Sequence, residues 1–79
     1  MPRFFFHYQD GHRLRPDPEG IVLPDAEAAW YQAVRSAREI INQDLKSGTL
    51  RPGQCVEIAD ESGQSINAIP LDEVVGLAI

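Results

Sequence analysis

The chain has 79 residues, a hydrophobic fraction of 43% and a formal net charge of −5. A chain this short forms one domain with a small core, because it buries only about 60 to 65% of the surface that its unfolded form exposes. No stretch approaches the roughly 20 apolar residues of a membrane span, and the N-terminus lacks the apolar run of a signal peptide. With one cysteine, Cys55, the composition favours a single cytoplasmic domain over residues 1–79.

The negative charge is concentrated at the C-terminal end. Residues 1–53 hold equal numbers of acidic and basic side chains, whereas residues 54–79 hold five acids and no Lys or Arg. These acids are Glu57, Asp60, Glu61, Asp72 and Glu73. Because such a surface repels the phosphate backbone, it disfavours a nucleic-acid partner and favours a basic or neutral one.

A first strand is predicted over about residues 3–9. This aromatic run is too short for a helix and ends at Asp10-Gly11, a pair that suits a tight turn. Strand side chains alternate between the two faces of a sheet. The set expected to face a helix is Phe4, Phe6 and Tyr8, and the set expected to face away is Arg3, Phe5 and His7.

An irregular second strand is predicted over residues 12–23. Pro16 and Pro18 cannot donate ladder hydrogen bonds, so they confine any strand there to an edge or interrupt it. Gly20 permits a bend, after which the apolar residues 21–23 resume pairing. We therefore predict one strand with a kink at the Pro-Asp-Pro-Glu-Gly segment.

A long amphipathic helix is predicted over about residues 25–47. Asp25 is suited to the N-cap, and Gly48 and Pro52 are suited to end the helix. The expected buried stripe is Ala26, Trp30, Ala33, Ala37, Ile40 and Ile41, flanked by Val34 and Leu45. Asp44 falls within this stripe, where an unpaired acid is unfavourable. We expect the last turns to extend past the sheet and leave Asp44 in solvent.

A hairpin and a short helix complete the predicted fold. Residues 54–60 and 65–69 alternate as strands around the turn at Asp60 to Gly63, and a helix over about residues 71–78 follows Pro70. The order predicts an α+β fold, a ββαββ(α) two-layer sandwich in which one long amphipathic helix covers one face of a small, mainly antiparallel sheet.

The sequence resembles a family of small bacterial proteins that is known only as a domain of unknown function. The resemblance rests on the Met-Pro-Arg-aromatic-Phe-Phe-His start, on Leu23-Pro24-Asp25 before an alanine-rich helix, and on residues 56–63. It implies no activity, cofactor or catalytic residue. A weaker similarity, at the level of the fold, to the N-terminal domain of HicB-like antitoxins rests on the strand-strand-helix-strand-strand order and on a Pro-Asp-containing segment ahead of an acidic helix start.

The residues give little support for catalysis. The cluster with metal-ligand composition is His7, Asp10, His12, Asp17 and Glu19, but its spacing matches no known ligand pattern and a turn separates the two histidines. Cys55 lacks an adjacent base, and the six glycines are dispersed rather than grouped in a phosphate loop. We expect no enzyme activity, no metal site and no cofactor.

The candidate interaction surface consists of Arg3, Phe5 and His7 on the uncovered sheet face, together with Val74 and Val75 of the terminal helix. The favoured function is a non-enzymatic protein-interaction or small regulatory module that self-associates as a homo-oligomer. The alternative is an antitoxin-like protein that neutralises a basic toxin through its acidic C-terminal half. RNA binding by Phe5 with Arg3, Arg13 and Arg15, or an enzyme, is the third reading.

Overall fold

The structure is a computed structural model that describes residues 1–47 and 53–77, without the side chains at positions 45, 47 and 75–77. The described part of the chain contains β1 (Arg3–Asp10), β2 (Arg13–Arg15), β3 (Ile21–Val22), α1 (Ala26–Ser47), β4 (Gln54–Ala59), β5 (Ser65–Pro70) and α2 (Leu71–Leu77). This confirms the predicted α+β class. The predicted helix end at Gly48 and Pro52, and residue 78 of the predicted short helix, lie outside the described residues.

The described strands form an antiparallel sheet in the order β2-β1-β4-β5, and β3 also pairs with β1. In the central pair of strands, Tyr8 lies opposite Val56 and His7 lies opposite Glu57. Because directly paired residues share a face, this register assigns every strand residue either to the helix side or to the opposite side, which we call the outer face.

The predicted irregular second strand forms two separate strands on the same partner. Strand β2 pairs with residues 8–10 of β1, and β3 pairs with residues 3–4. The register of β3 differs from that of β2 by two residues, which the segment Pro16 to Gly20 absorbs as a kink. The interruption that the two prolines predicted is therefore confirmed.

Helix α1 covers one face of the sheet with a stripe of small residues. The Asp25 carboxylate accepts the N–H of Ala28 at 2.9 Å, which confirms the predicted N-cap. The predicted stripe is right at Ala33, Ala37 and Ile41 but wrong at Ala26, which is exposed, while Ala29 is fully buried. Side chains of a helix tilt toward its N-terminus, so the first residue points beyond the sheet.

The core between helix and sheet contains the side chains predicted to face the helix on β1. Phe4 is buried, and Phe6 and Tyr8 pack against the same cluster. The other members are Ala29, Ala33, Val34, Ala37, Ile41, Val56, Ile58, Ile69, Leu71 and Val74. Small residues on α1 let its backbone approach the sheet, so β4 is the most deeply buried strand.

The predicted β4–β5 hairpin is also confirmed. Gly63 has a φ of +87° and donates its N–H to Asp60 O at 3.0 Å, which closes the turn. Helix α2 begins directly after Pro70 and buries Leu71 and Val74 against the core. Neither described helix is long and apolar enough to cross a membrane.

The prediction that the end of the helix extends past the sheet and leaves Asp44 in solvent is wrong. Its Oδ2 accepts a hydrogen bond from Gln54 Nε2 at 2.8 Å, and Gln54 is the first residue of β4 and only 4% exposed. Asp44 is half-buried and lies over the end of the sheet rather than beyond it. A buried polar partner, which the helix pattern alone does not indicate, stabilises the acid there.

Gly20 provides a test of how tightly the kink packs on β1. Its φ is +68°, and a Cβ at this position would lie 2.7 Å from Phe4 O and 2.9 Å from a ring carbon of Phe5. We expect Gly20→Ala to lower the free energy of unfolding by about 2 to 4 kcal/mol, because backbone strain and a backbone clash combine. Urea denaturation followed by circular dichroism measures this loss.

Gly11→Ala is the matched control, because Gly11 also has a positive φ of 61° but no atom lies within 4 Å of its Cβ position. We expect a loss of about 1 kcal/mol from backbone strain alone. Equal losses in the two variants would contradict the close packing of the kink.

Candidate functional site

The outer face of the sheet is the main surface that neither described helix covers. Helices α1 and α2 contact one another and the other face. The register places the following apolar residues on the outer face: Phe5, Leu14, Val22, Cys55, Ala59, Ala68 and Pro70. Ile66 is the extra residue where the β4–β5 register shifts opposite Ala59, and alternation from Ala68 assigns it to the same face. Leu14 is 55% exposed, Val22 42% and Ile66 41%. The surface is therefore rich in solvent-exposed apolar side chains.

Two cross-strand rows form the centre of the outer face. Phe5 lies opposite Ala59, and His7 lies opposite Glu57. The rings of Phe5 and His7 are nearly parallel, with an interplanar angle of 14° and 6.4 Å between centroids. Strand β1 therefore presents two rings, whereas β4 presents a small side chain and a carboxylate beside them.

The kink between β2 and β3 is fixed to this centre by Asp17. The Asp17 carboxylate accepts three backbone N–H groups: Phe6 at 3.1 Å, Glu19 at 3.2 Å and Gly20 at 3.1 Å. Its own N–H donates to His7 Nδ1 at 2.9 Å. Asp17 thus satisfies a β1 donor that the interrupted strand cannot pair.

The pKa of Asp17 reflects this environment. Burial raises the pKa, but the N–H donors from Gly20, Phe6 and Glu19, with a smaller electrostatic effect of His7, lower it more. The net result is a pKa below the usual value for an aspartate. The charged carboxylate is therefore the form that stabilises the kink.

The kink explains why Phe5 is half-buried rather than fully exposed. Its ring lies against Gly20, close enough that a Cβ there would approach to 2.9 Å. The prediction that this face has no cover of its own is thus correct for the helices but incomplete for the kink. Phe5 and His7 both remain half-buried within one chain.

The structure places the remaining candidate interaction residues differently. Arg3 is exposed on the outer face, and its guanidinium donates to Glu19 O at 2.7 Å. Val74 is 0% exposed and belongs to the core, which corrects its assignment to the interaction surface. It faces the sheet because α2 packs on both α1 and β5. The side chain of Val75 lies outside the described residues.

The acidic and histidine cluster noted in the sequence is only partly brought together. His7, Asp17 and the backbone of Glu19 meet at the kink, where they hydrogen-bond to one another. His12 is exposed in the turn after β1. In the described parts of the chain, no group of three His, Cys, Asp or Glu side chains is arranged to hold a metal ion.

The surface predicted for RNA is not assembled. Leu14 shares the outer face with Gln9, so its neighbours Arg13 and Arg15 project from the other side of β2. Arg15 lines a cavity of about 300 Å³ next to Tyr8 and Asp44, on the helix side. Phe5 and Arg3 therefore lie on a different face of the sheet from these two arginines.

Cys55 lies on the outer face of β4, opposite Gln9. Burial, and the nearby Glu57 carboxylate to a smaller degree, raise the pKa of its thiol. Both effects disfavour the thiolate, so the geometry gives Cys55 no features of a nucleophile.

Residues of the acidic half are partly engaged within the chain. The Asp60 Oδ1 accepts the hydroxyl of Ser62 at 2.6 Å and the N–H of Gln64 at 3.0 Å. These hydrogen bonds lower the pKa of Asp60. Glu61 accepts the N–H of Arg3 at 3.0 Å. Both acids therefore stabilise the hairpin and its contact with β1.

Gln54 is a polar core residue that sequence reasoning missed. Its Nε2 donates to Tyr8 at 2.7 Å and to Asp44, while its Oε1 has no hydrogen-bond partner among the described residues. Only the anomalous position of Asp44 in the helical stripe could have signalled a polar partner on the sheet. The Asp17 contact had a clearer signal, an aspartate between two prolines on an interrupted strand.

The lowered pKa of Asp17 predicts how stability depends on pH. Its charged form stabilises the fold above the unfolded pKa of about 3.9, and this contribution is lost as the pH falls through the lower folded pKa. Asp17→Asn removes the charge and turns an amide toward Phe6 N–H. We expect a loss of about 1 to 2 kcal/mol at pH 7 in urea denaturation.

The difference between wild type and Asp17→Asn should shrink below pH 4, because the wild type then loses the same charge. Glu73→Gln, at an exposed position of α2, is the charge-matched control and should differ little from wild type at either pH. A constant deficit of Asp17→Asn from pH 7 to pH 2 would contradict a stabilising carboxylate.

Comparison with known proteins identifies the family. A family model described as a domain of unknown function, DUF6894, matches residues 3–72, so the chain belongs to this family. No curated protein and no solved structure matches the chain. The resemblance to a family of unknown function is thereby confirmed, whereas similarity to HicB-like antitoxins is not shown.

Proposed function

We propose that this member of the DUF6894 family is a non-enzymatic protein-interaction module that self-associates through the outer face of its sheet. The observation that carries the proposal is the apolar outer face, which is not covered by either described helix and includes Leu14, Val22 and Ile66 as exposed side chains. Burial of such side chains against a second copy removes apolar area from water.

The shape of the face suits a second copy of the same chain. The four strands have their midline between β1 and β4, and a two-fold axis along this midline would place β1 of one protomer over β4 of its partner. The large Phe5 would then lie over the small Ala59, and His7 over the Glu57 carboxylate. Two sheets packed face to face keep their strands within about 30° of each other, so these contacts survive the twist.

The hydrogen bond of His7 favours this pairing. The Asp17 N–H donates to Nδ1 of His7, so Nδ1 acts as the acceptor and Nε2 is the ring nitrogen left to carry an N–H. The Nε2–H is then the group able to donate to a carboxylate of a second chain. The hydrogen bond from Asp17 therefore orients the His7 ring and leaves Nε2 as the nitrogen able to donate.

Pairing through the sheet edges is less favourable than pairing through the face. At β5, Asn67 Oδ1 accepts the N–H of Ala68 at 2.9 Å, and Pro70 has no N–H. At the opposite edge, β2 has three residues and is followed by Pro16. Blocked donors and short strands are features that protect sheet edges from adding another strand.

The area of the face predicts a weak dimer. Four strands about 4.8 Å apart and about six residues long give a face of roughly 400 Å². A dimer would bury about 800 Å² in total, less than the 1,200 Å² or so of stable complexes. A dissociation constant near 0.1 mM, or about −5.5 kcal/mol, is the expected scale.

The antitoxin alternative has less support. Of the five acids in residues 54–79, Asp60 and Glu61 accept hydrogen bonds from the hairpin and from the N–H of Arg3, which leaves a smaller free acidic surface for a basic toxin. RNA binding lacks Arg13 and Arg15 on the outer face, where only Arg3 of the three arginines lies beside Phe5. For an enzyme, the pKa of the Cys55 thiol is raised, which disfavours a nucleophile at that position.

Self-association is tested by sedimentation velocity over a range of concentrations. We expect the average mass of the wild type to rise from the monomer toward the dimer between about 10 µM and 1 mM. Phe5→Glu and Ile66→Glu each introduce a charge into the buried face and should remain monomeric. Ile66 is exposed on an edge strand, so its variant keeps the test valid if Phe5→Glu fails to fold.

The matched control is Tyr31→Glu, which changes an aromatic residue of 62% exposure on α1 and should dimerise like the wild type. A wild type that stays monomeric over the whole range would overturn the proposal. So would a dimer that persists in a folded Ile66→Glu variant.

A further inference from the structure

A second surface, on α1, has the composition of a binding groove. A shallow cavity of about 530 Å³ lies along the helix and is lined by Trp30, Tyr31, Val34, Arg35, Arg38 and Asn42, with Glu39 beside them. Four of these residues, Tyr31, Arg35, Arg38 and Asn42, recur at helical spacing and form one stripe. The groove lies on the helix, away from the outer face of the sheet.

The groove combines an apolar floor with two cations. Val34 is 6% exposed and packs in the core, and the Trp30 and Tyr31 rings meet edge to face at 5.1 Å. Tyr31 is 62% exposed. Arg35 and Arg38 are both exposed, and neither forms an ion pair with a charged residue in the described parts of the chain.

We propose that this groove binds a short acidic peptide segment of a protein partner, with an apolar side chain on Trp30 and Val34 and carboxylates on Arg35 and Arg38. Residues three apart on a helix have Cβ atoms about 5 to 6 Å apart. Carboxylate-bearing residues two apart in an extended peptide are about 6.8 Å apart. Two such residues are therefore spaced similarly to Arg35 and Arg38, whose guanidinium groups bind carboxylates through paired N–H donors.

Charge favours an acidic peptide over a nucleic acid. The net charge of −5 repels any anionic ligand, and Glu39 lies in the groove itself, so the electrostatic cost rises with the number of negative charges that the ligand carries beyond those that Arg35 and Arg38 bind. A nucleic acid has a phosphate at every nucleotide, so part of its charge would face Glu39 and the acidic half of the chain. A peptide can place its acids at the two arginines and neutral residues elsewhere.

Selection from a random 12-residue peptide library displayed on phage tests the proposal with the full chain. We expect enriched sequences to carry two acids close to an aromatic or aliphatic residue. Fluorescence anisotropy with one enriched peptide then measures affinity. R35E/R38E should weaken binding about tenfold or more, because both guanidinium contacts become repulsive.

The matched control is R13E/R15E, which makes the same charge change on exposed arginines of β2 and should alter affinity less than about twofold if the contact is local. The proposal is independent of self-association, which Ile66→Glu removes without affecting the groove. Circular dichroism verifies that each variant is folded.

Several outcomes would overturn the proposal. These are no enrichment over the starting library, enriched peptides without acids, or equal binding to wild type and R35E/R38E. A 12-nucleotide oligouridylate that binds more tightly than the peptide, and loses binding in R35E/R38E, would assign the groove to nucleic acid instead.

Discussion

The fold of the N-terminal half depends on the hydrogen bonds that the Asp17 carboxylate accepts. The two prolines around Asp17 remove backbone donors from the second strand, and the chain leaves the ladder after the Tyr8–Arg15 pair. The carboxylate accepts a hydrogen bond from the N–H of Phe6 in place of a strand carbonyl. It also accepts the N–H groups of Glu19 and Gly20. Strand β3 can therefore return to β1 beyond the kink. Because Gly20 presses against Phe5, the same contact shapes the outer face.

The molecule separates the face that forms its core from the face that we propose for self-association. On the helix side, alanines and branched residues close a core that includes Val74. On the outer face, the kink contacts the side chains of Phe5 and His7, and both remain half-buried. A surface of this kind is ordered before a partner arrives, which lowers the entropy lost on binding. Its modest area explains why we propose a reversible contact rather than a permanent one.

Most of the architecture followed from the sequence, because local patterns determined it. The helix has a capping aspartate, the hairpin has Gly63 at the required positive φ, and strand alternation separated Phe4 from Phe5. Long-range polar contacts were not predictable in the same way. The helical pattern alone predicts Asp44 in solvent, but its partner Gln54 is ten positions away on a strand whose register no periodicity reveals. The position of the arginines of β2 likewise depended on a register set by a two-residue turn.

The reactivity of the single cysteine offers the most direct measurement of the central claim, that the outer face is buried by a second copy. Cys55 lies on that face, and the chain has no other thiol. In the alkylation of Cys55 by iodoacetamide at constant reagent concentration, we predict that the rate per chain falls as the protein is concentrated from about 10 µM to 1 mM. In Ile66→Glu the rate should not change with concentration. A wild-type rate that is independent of protein concentration would contradict the account.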